Sequence, residues 1–337
     1  MPINPIVLMY TRIKNFYIPI TISNNQNIST PAPFQQLITI NPSLIGSNLF
    51  SSDLGNIRFY ADYAFTQPLY AWVESGNSNT ATTTNIWVKL PNGIPANSSI
   101  IIYMRLENVS TEYDGVYMGE APQLSSTYAQ YDNGSNVFNN YWNFAGTSLS
   151  SSWQEPQTTG VTINNGVSFA PGNNIGYIET TAKYPINEIT ETNFNVSAIG
   201  YGGIGLGVDI NGNPYTSNFW LNVGSSIGYL YNGIVADTRS GTNTGSVSIL
   251  NGSHTTTNPF NTLGNFIGSI IATSSEFYIY QNYSTLVGYT TTNIPPQGNY
   301  YILIGGGGNG VVFSINWVRQ RAYPPNGTMP NISVGII

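Results

Sequence analysis

Residues able to do acid–base or covalent chemistry are few in this chain, and their spacing limits what they can do. A glycosidase built on a β-sheet needs two carboxylates facing one cleft, which a strand supplies from residues two or four apart. Glu188 and Glu191 are three apart and would point to opposite faces of a strand, while Glu112 and Asp114 are two apart but lie in an irregular stretch. The latter pair is expected to be solvated loop carboxylates. His254 is the single histidine and has no Gly-x-Ser-x-Gly elbow to serve, so a histidine triad and a histidine metal cluster both lack members. It is expected in an exposed loop. With no cysteine there is no thiolate nucleophile, disulfide or sulfur metal site. No catalytic set emerges, and the chain is expected not to be an enzyme.

Three further patterns resemble sites but fail on context. Asp209-Ile210-Asn211-Gly212-Asn213 opens like a calcium loop, but Pro214 stands where glycine is needed and Trp220 where the bidentate Glu belongs. A hairpin turn is the better reading. The glycine run at residues 305–310 follows an apolar stretch, but strand-like residues come next where a phosphate-binding fingerprint requires a helix. It is expected to be a flexible hairpin. Nine Asn-x-Ser/Thr sequons begin at Asn27, Asn97, Asn108, Asn133, Asn195, Asn251, Asn282, Asn326 and Asn331, where roughly eight would arise by chance in so Asn/Ser/Thr-rich a chain. The loop-placed Asn133, Asn251 and Asn326 are the candidate glycan acceptors.

Composition sets the class of protein. Charged residues make up 7% of the 337 residues, against about 25% in ordinary soluble domains. Nine Lys/Arg against fifteen Asp/Glu leave a net charge of −6 and no basic cluster, which argues against nucleic acid as a partner. With 41% hydrophobic and 13% aromatic residues the chain should fold. Its solubility must come from Asn, Ser, Thr, Gly and Tyr, whose hydration changes little as carboxylates protonate, so tolerance of acid and an outside location are expected. The first ten residues lack the charged start and long apolar core of a signal peptide, and no apolar run approaches the ~18 residues of a membrane span.

Short β-branched and aromatic runs closed by turn residues dominate the chain. At residues 16–22, Phe16, Ile18, Ile20 and Ile22 share one face, and Pro19, which cannot donate to a ladder, predicts an edge strand. Residues 36–40, 57–60, 70–74, 85–90 and 99–106 complete a first sandwich, and residues 111–138 read as an aromatic connector. After a boundary near Asn140, eleven more strands are expected: 166–170, 175–181, 193–199, 203–210, 219–223, 227–231, 246–250, 266–273, 277–281, 300–304 and 311–319. Asn165-Gly166, Asn211-Gly212, Asn232-Gly233 and Asn309-Gly310 supply hairpin turns. The fold class is therefore all-β, with two β-sandwich, jelly-roll-like domains at residues 1–140 and 141–337. The apolar segments at residues 6–10 and 331–337 could complete their own sheets or add a strand to a neighbouring subunit.

Several blocks carry a family resemblance. Ser52-Asp53-Leu54-Gly55-Asn56-Ile57-Arg58-Phe59, Tyr70-Ala71-Trp72-Val73-Glu74, Asn85-Ile86-Trp87-Val88-Lys89-Leu90-Pro91 and Tyr131-Asp132-Asn133-Gly134 resemble an uncharacterised domain family of archaeal and bacterial surface proteins. The stretch at residues 141–153 and the strand Ile315-Asn316-Trp317-Val318-Arg319 are similar to the two ends of a concanavalin A-like or laminin-G-like sandwich. This resemblance implies location and architecture rather than chemistry. It also implies a fold that often binds calcium, although no site can be placed; no other cofactor is expected.

The expectation is a structural surface protein: a spike, turret, fibre or capsid-associated part of an archaeal virus, or a component of a cell-surface layer or filament. Its partners would be copies of itself or other surface and virion proteins. The alternative is a carbohydrate-binding adhesin for host glycans, which would stack sugars on some of the 24 Tyr and 6 Trp.

Overall fold

The computed structural model describes residues 16–198, 202–207, 234–237, 246–249, 253–255, 263–290, 298–307 and 310–335. The chain divides into two compact units, residues 1–140 with 321–337 and residues 141–320. Its strands are, in the first unit, β1 (Tyr17–Asn24), β2 (Phe34–Ile40), β3 (Ile57–Tyr60), β4 (Pro68–Leu69), β5 (Ala71–Ser75), β6 (Thr84–Leu90), β7 (Ser98–Leu106) and β8 (Met118–Glu120). There follow β9 (Asn140–Trp142), β10 (Trp153–Thr158), β11 (Val161–Ile163), β12 (Val167–Phe169), β13 (Ile175–Thr180), β14 (Tyr184–Pro185), β15 (Ile189–Ala198), β16 (Gly202–Gly207), β17 (Ile234–Asp237) and β18 (Ser246–Ile249). The remainder are β19 (Ser253–Thr255), β20 (Gly264–Ala272), β21 (Phe277–Gln281), β22 (Thr285–Thr290), β23 (Asn299–Gly307), β24 (Val312–Arg321) and β25 (Asn331–Val334). The protein is all-β.

The first unit has a five-stranded sheet, β25-β1-β7-β3-β4, and a four-stranded sheet, β2-β6-β5-β8. Alternation explains the core between them. Ile18, Ile20, Ile22, Phe59, Ile102 and Met104 from one sheet join Ile38, Val73, Ile86 and Val88 from the other in one buried cluster. Each such side chain contributes about 1.5–3 kcal/mol by leaving water.

Three expectations for this unit change. First, β1 is not an edge strand, since it lies between β7 and β25. A strand residue's N–H and C=O point to the same side, and the Pro19 carbonyl accepts from Gly335 N at 2.8 Å, on the β25 side, just past the last pair, Ile20 with Val334. The missing Pro19 donor therefore falls where the partner strand has ended. Second, residues 321–337 belong to this unit and not to the second, because β25 pairs antiparallel with β1. The C-terminal segment thus completes its own chain's sheet; residues 6–10 lie outside the described residues. Third, the stretch expected as a connector contains β8, which pairs parallel with β5, and a short helix, Gly134–Val137.

The second unit has two sheets, in the orders β10-β13-β23-β16-β17-β18-β19 with β14 beside β23, and β11-β12-β24-β15-β20-β21-β22 with β9 beside β24. Its core includes Trp153, Val167, Phe169, Ile178, Phe194, Ile304, Phe313 and Ile315. Asn165 and Gly166, at φ 51° and 113°, turn the chain between β11 and β12, as an Asn-Gly hairpin requires. The first part of the glycine run, Gly305 to Gly307, is strand where a hairpin was expected: Gly305 and Gly306 sit in β23 opposite Tyr177 and Gly176, and a Cβ on Gly305 would collide with Tyr177. Close strand approach explains that glycine. The expected strands at 219–223 and 227–231 lie outside the described residues, as do Asn211-Gly212, Asn232-Gly233 and Asn309.

Candidate functional site

The outer face of the five-stranded sheet collects aromatic side chains. Because Ile18, Phe59, Ile102 and Met104 point inward, Tyr17, Tyr60, Tyr103 and Arg105 point outward. Register sets Tyr17 opposite Arg105 and Tyr60 opposite Tyr103. The β3–β4 connection adds two rings and is fastened by Asp62, whose Oδ1 accepts from Gln67 N at 2.8 Å and Thr66 N at 3.0 Å, while Oδ2 accepts from Thr66 Oγ1 at 2.8 Å. Phe65 takes φ 56° in this tight turn. Tyr63 then meets Tyr17 edge-on at 5.3 Å and Tyr103 at 5.7 Å. Phe65 meets Tyr60 at 5.3 Å and Tyr17 at 5.6 Å, with the Arg105 guanidinium 5.1 Å from its centre.

Each edge-to-face contact contributes about 0.5–1.5 kcal/mol beyond area, enough to fix the rings without covering them. Tyr63 remains 61% exposed. The Tyr17 phenol is held above its usual range, first by its hydrogen bond with Tyr63, then by burial and the neighbouring phenols. Burial pushes the Asp62 carboxyl up, but the bonds from Thr66 and Gln67 outweigh this and hold it low, so the turn keeps its anchor in mild acid. The face offers ring surfaces, phenol hydroxyls and one guanidinium, which Glu107 approaches at 3.2 Å. Its groups are ones that stack on a flat surface and exchange hydrogen bonds with it.

The four-stranded sheet treats its outer aromatic face differently. Trp72 Nε1 donates to Asp132 Oδ1 at 2.8 Å, Trp87 Nε1 donates to Glu74 Oε2 at 2.8 Å, and Phe138 stands edge-on to Trp72 at 5.2 Å. Lys89 Nζ donates to Asn136 O at 2.9 Å. The blocks that carried the resemblance are therefore brought together as a folding network. The same holds for Asp53 and Asn56: Asp53 Oδ1 accepts from Gly55 N at 2.9 Å, and buried Asn56 donates to Leu49 O and Glu107 O, both at 3.0 Å.

The other sequence candidates fall apart spatially. Glu112 and Asp114 are exposed, as expected, yet both have structural partners: Glu112 accepts from Tyr131 Oη at 3.1 Å, and Asp114 pairs with Arg58 at 3.2 Å. Glu191 is fully buried and ion-paired to Arg319 at 2.7 Å, with Ser269 Oγ donating to it at 3.1 Å. Sequence reading missed that pair, which lies 128 residues apart. His254 lies in strand β19 opposite Ser248, where a loop was expected. Among the described residues no group of three His, Cys, Asp or Glu could hold a metal ion. Asp209 to Asn213 lie outside them.

Of the glycan acceptor candidates, Asn133 is a correction. It is 1% exposed, and its Nδ2 donates to Ala71 O at 3.1 Å and Val116 O at 2.9 Å, so its amide is a clamp inside the fold. A turn-like composition marked a loop, and this loop is buried. Asn326 is exposed, and Asn251 lies outside the described residues.

With both sheet faces placed, the likeness to known proteins can be mapped. Residues 53–121 match a domain of unknown function, DUF2341. The match runs from just before β3 to just after β8, so it includes Tyr60, Tyr63, Phe65, Tyr103 and Arg105 of the open face. The chain is also 36% identical over 342 residues to "Uncharacterized protein 562" of Sulfolobus islandicus rod-shaped virus 1, covering 93% of this chain. The chain spans 58% of that relative's length. Among solved structures, a β-glucanase of Bacillus licheniformis is similar over 54% of this chain and 97% of its own, at 14% identity and a TM-score of 0.38. The carbohydrate-binding module CBM66 of Bacillus subtilis is similar over 52% and 98%, at 13% identity and a TM-score of 0.34.

Proposed function

We propose that this chain is a non-enzymatic structural protein on the outside of an archaeal virus particle, as a spike, turret, fibre or capsid-associated component. The observation that carries this reading is the 36% identity, across 93% of the chain, to a protein of a rod-shaped archaeal virus. The molecule's chemistry supports it. The chain keeps its charge to 7% of residues, and Glu191, Glu74 and Glu120 serve folding contacts. Its partners are other virion proteins or further copies of itself. Antibody raised against the chain should label source particles in the electron microscope, with a mass-spectrometric stoichiometry of many copies per particle. Purified particles that lack the chain would end this reading.

A second reading, a carbohydrate-binding adhesin, is favoured by the open aromatic face. Exposed tyrosine rings stack on sugar faces while their hydroxyls and a guanidinium bond the ring substituents. A glycan array probed with the chain should then give binding that Tyr63→Ala weakens at least tenfold. Binding unchanged by that substitution would remove the face from the account.

A further inference from the structure

The fold sorts the nine sequons in a way their spacing does not show. Asn133 is sealed in the first unit, whereas four others gather at one end of the five-stranded sheet, where β1 ends and β7 and β25 begin. Asn27, in Asn27-Ile28-Ser29, follows β1; Asn97, in Asn97-Ser98-Ser99, precedes β7; Asn326, in Asn326-Gly327-Thr328, precedes β25. Asn331 opens β25 opposite Ser23. All four are exposed.

The first three converge on Gln26. Asn97 N donates to Gln26 O at 2.9 Å, and Asn326 Nδ2 donates to Gln26 Oε1 at 3.0 Å and reaches Asn27 Oδ1 at 3.5 Å. Asn97 and Asn326 take φ 50° and 52°, the left-handed turn conformation that asparagine tolerates. The acceptor amides thus stand on turns that project from the sheet.

We infer that this end of the sheet is a clustered N-glycan acceptor site, with saccharides on Asn27, Asn97 and Asn326. The donor class is a lipid-phosphate-linked oligosaccharide. Each Asn Nδ2 bonds to the sugar C1 as the C1–O bond to phosphate breaks; the lipid phosphate leaves with that electron pair, and the amide releases one proton. The second N–H stays on each nitrogen, so Asn326 keeps a donor for Gln26. Glycans here give this end a hydrated cover.

The inference adds to the proposed function that the chain meets a glycosylation machinery, and its test is separate. Intact-glycopeptide mass spectrometry should be run on the chain from its source cells and, independently, from particles. Saccharide mass is expected on the peptides bearing Asn27, Asn97 and Asn326, with the Asn133 peptide bare. Ser29→Ala, Asn97→Gln and Thr328→Ala should each remove one glycan while the circular dichroism spectrum stays that of a β protein. Bare peptides at all three positions would overturn the inference, as would occupancy confined to Asn108, Asn195 or Asn282. A chain missing from particles but glycosylated at these positions in cells would sink the virion reading and support this one.

Discussion

The first unit has two aromatic outer faces, and the chain treats them oppositely. On the four-stranded sheet, Trp72 and Trp87 are at most 1% exposed, and Phe138, Asp132 and the Arg321 guanidinium, 4.8 Å from Trp87, close over them. On the five-stranded sheet, rings pack against one another and stay open, with Tyr63 at 61%. Residue type follows the difference. Indoles with a single donor are buried where a carboxylate can accept the hydrogen bond, and phenols, which both donate and accept, face solvent. An aromatic face that its own chain covers is structure. One left open is available for recognition.

The comparison breaks first at the covered face. Trp87→Ala removes a buried indole and the donor to Glu74, and should cost about 3–5 kcal/mol in chemical denaturation. A cost below about 1 kcal/mol would mean the face is not sealed in solution. Asn133→Ala, under the same cover, deprives Ala71 O and Val116 O of their donor and should cost about 1–3 kcal/mol, measured the same way. An Asn133→Ala protein as stable as the parent would show that these carbonyls find water.

How much of this was legible follows from where the information lies. Strands 57–60, 85–90 and 99–106 declared themselves through alternation, a local property, and β3, β6 and β7 lie there within a residue. The pairing of β25 with β1 joins Val334 to Ile20 across more than three hundred residues, and four residues of ordinary composition give no local sign of it. Along β7, buried Ile102 and Met104 alternate with half-buried Tyr103 and Arg105, which take the opposite face. Whether such a face stays open depends on what folds over it, and the cover on the other sheet, residues 131–138, read as a connector. Asn133 was misplaced for the same reason: Asp-Asn-Gly marks a turn, and turns are usually exposed.

A smaller effect tests the covered sheet through pH. Glu120, on β8, accepts from Ser125 Oγ at 2.7 Å and Asn77 Nδ2 at 3.0 Å. Burial nonetheless raises its carboxyl above the usual glutamate value, with Asp53 and Asp132 adding to the rise. A carboxyl whose folded pKa exceeds its unfolded one binds its proton more tightly when folded. Stability is therefore lost as pH rises from the usual glutamate value through the raised one, and gained as pH falls through that window. Glu120→Gln should flatten this slope and change the melting temperature by only a few degrees, as melting curves from pH 4 to 8 would show. If the slope survives the substitution, another group carries it.

The smallest stability effect belongs to the open face. Tyr63 holds its place by two edge contacts, with Tyr17 and Tyr103, while most of its surface stays in water, so Tyr63→Ala should cost about 1 kcal/mol of folding stability. Binding to particles or glycans is where that substitution should register, because the truncated ring is what a partner would touch. A loss of several kcal/mol in stability would instead make Tyr63 a structural residue and erase the distinction between the two faces. Small stability loss combined with weakened association would separate recognition from folding on a single side chain.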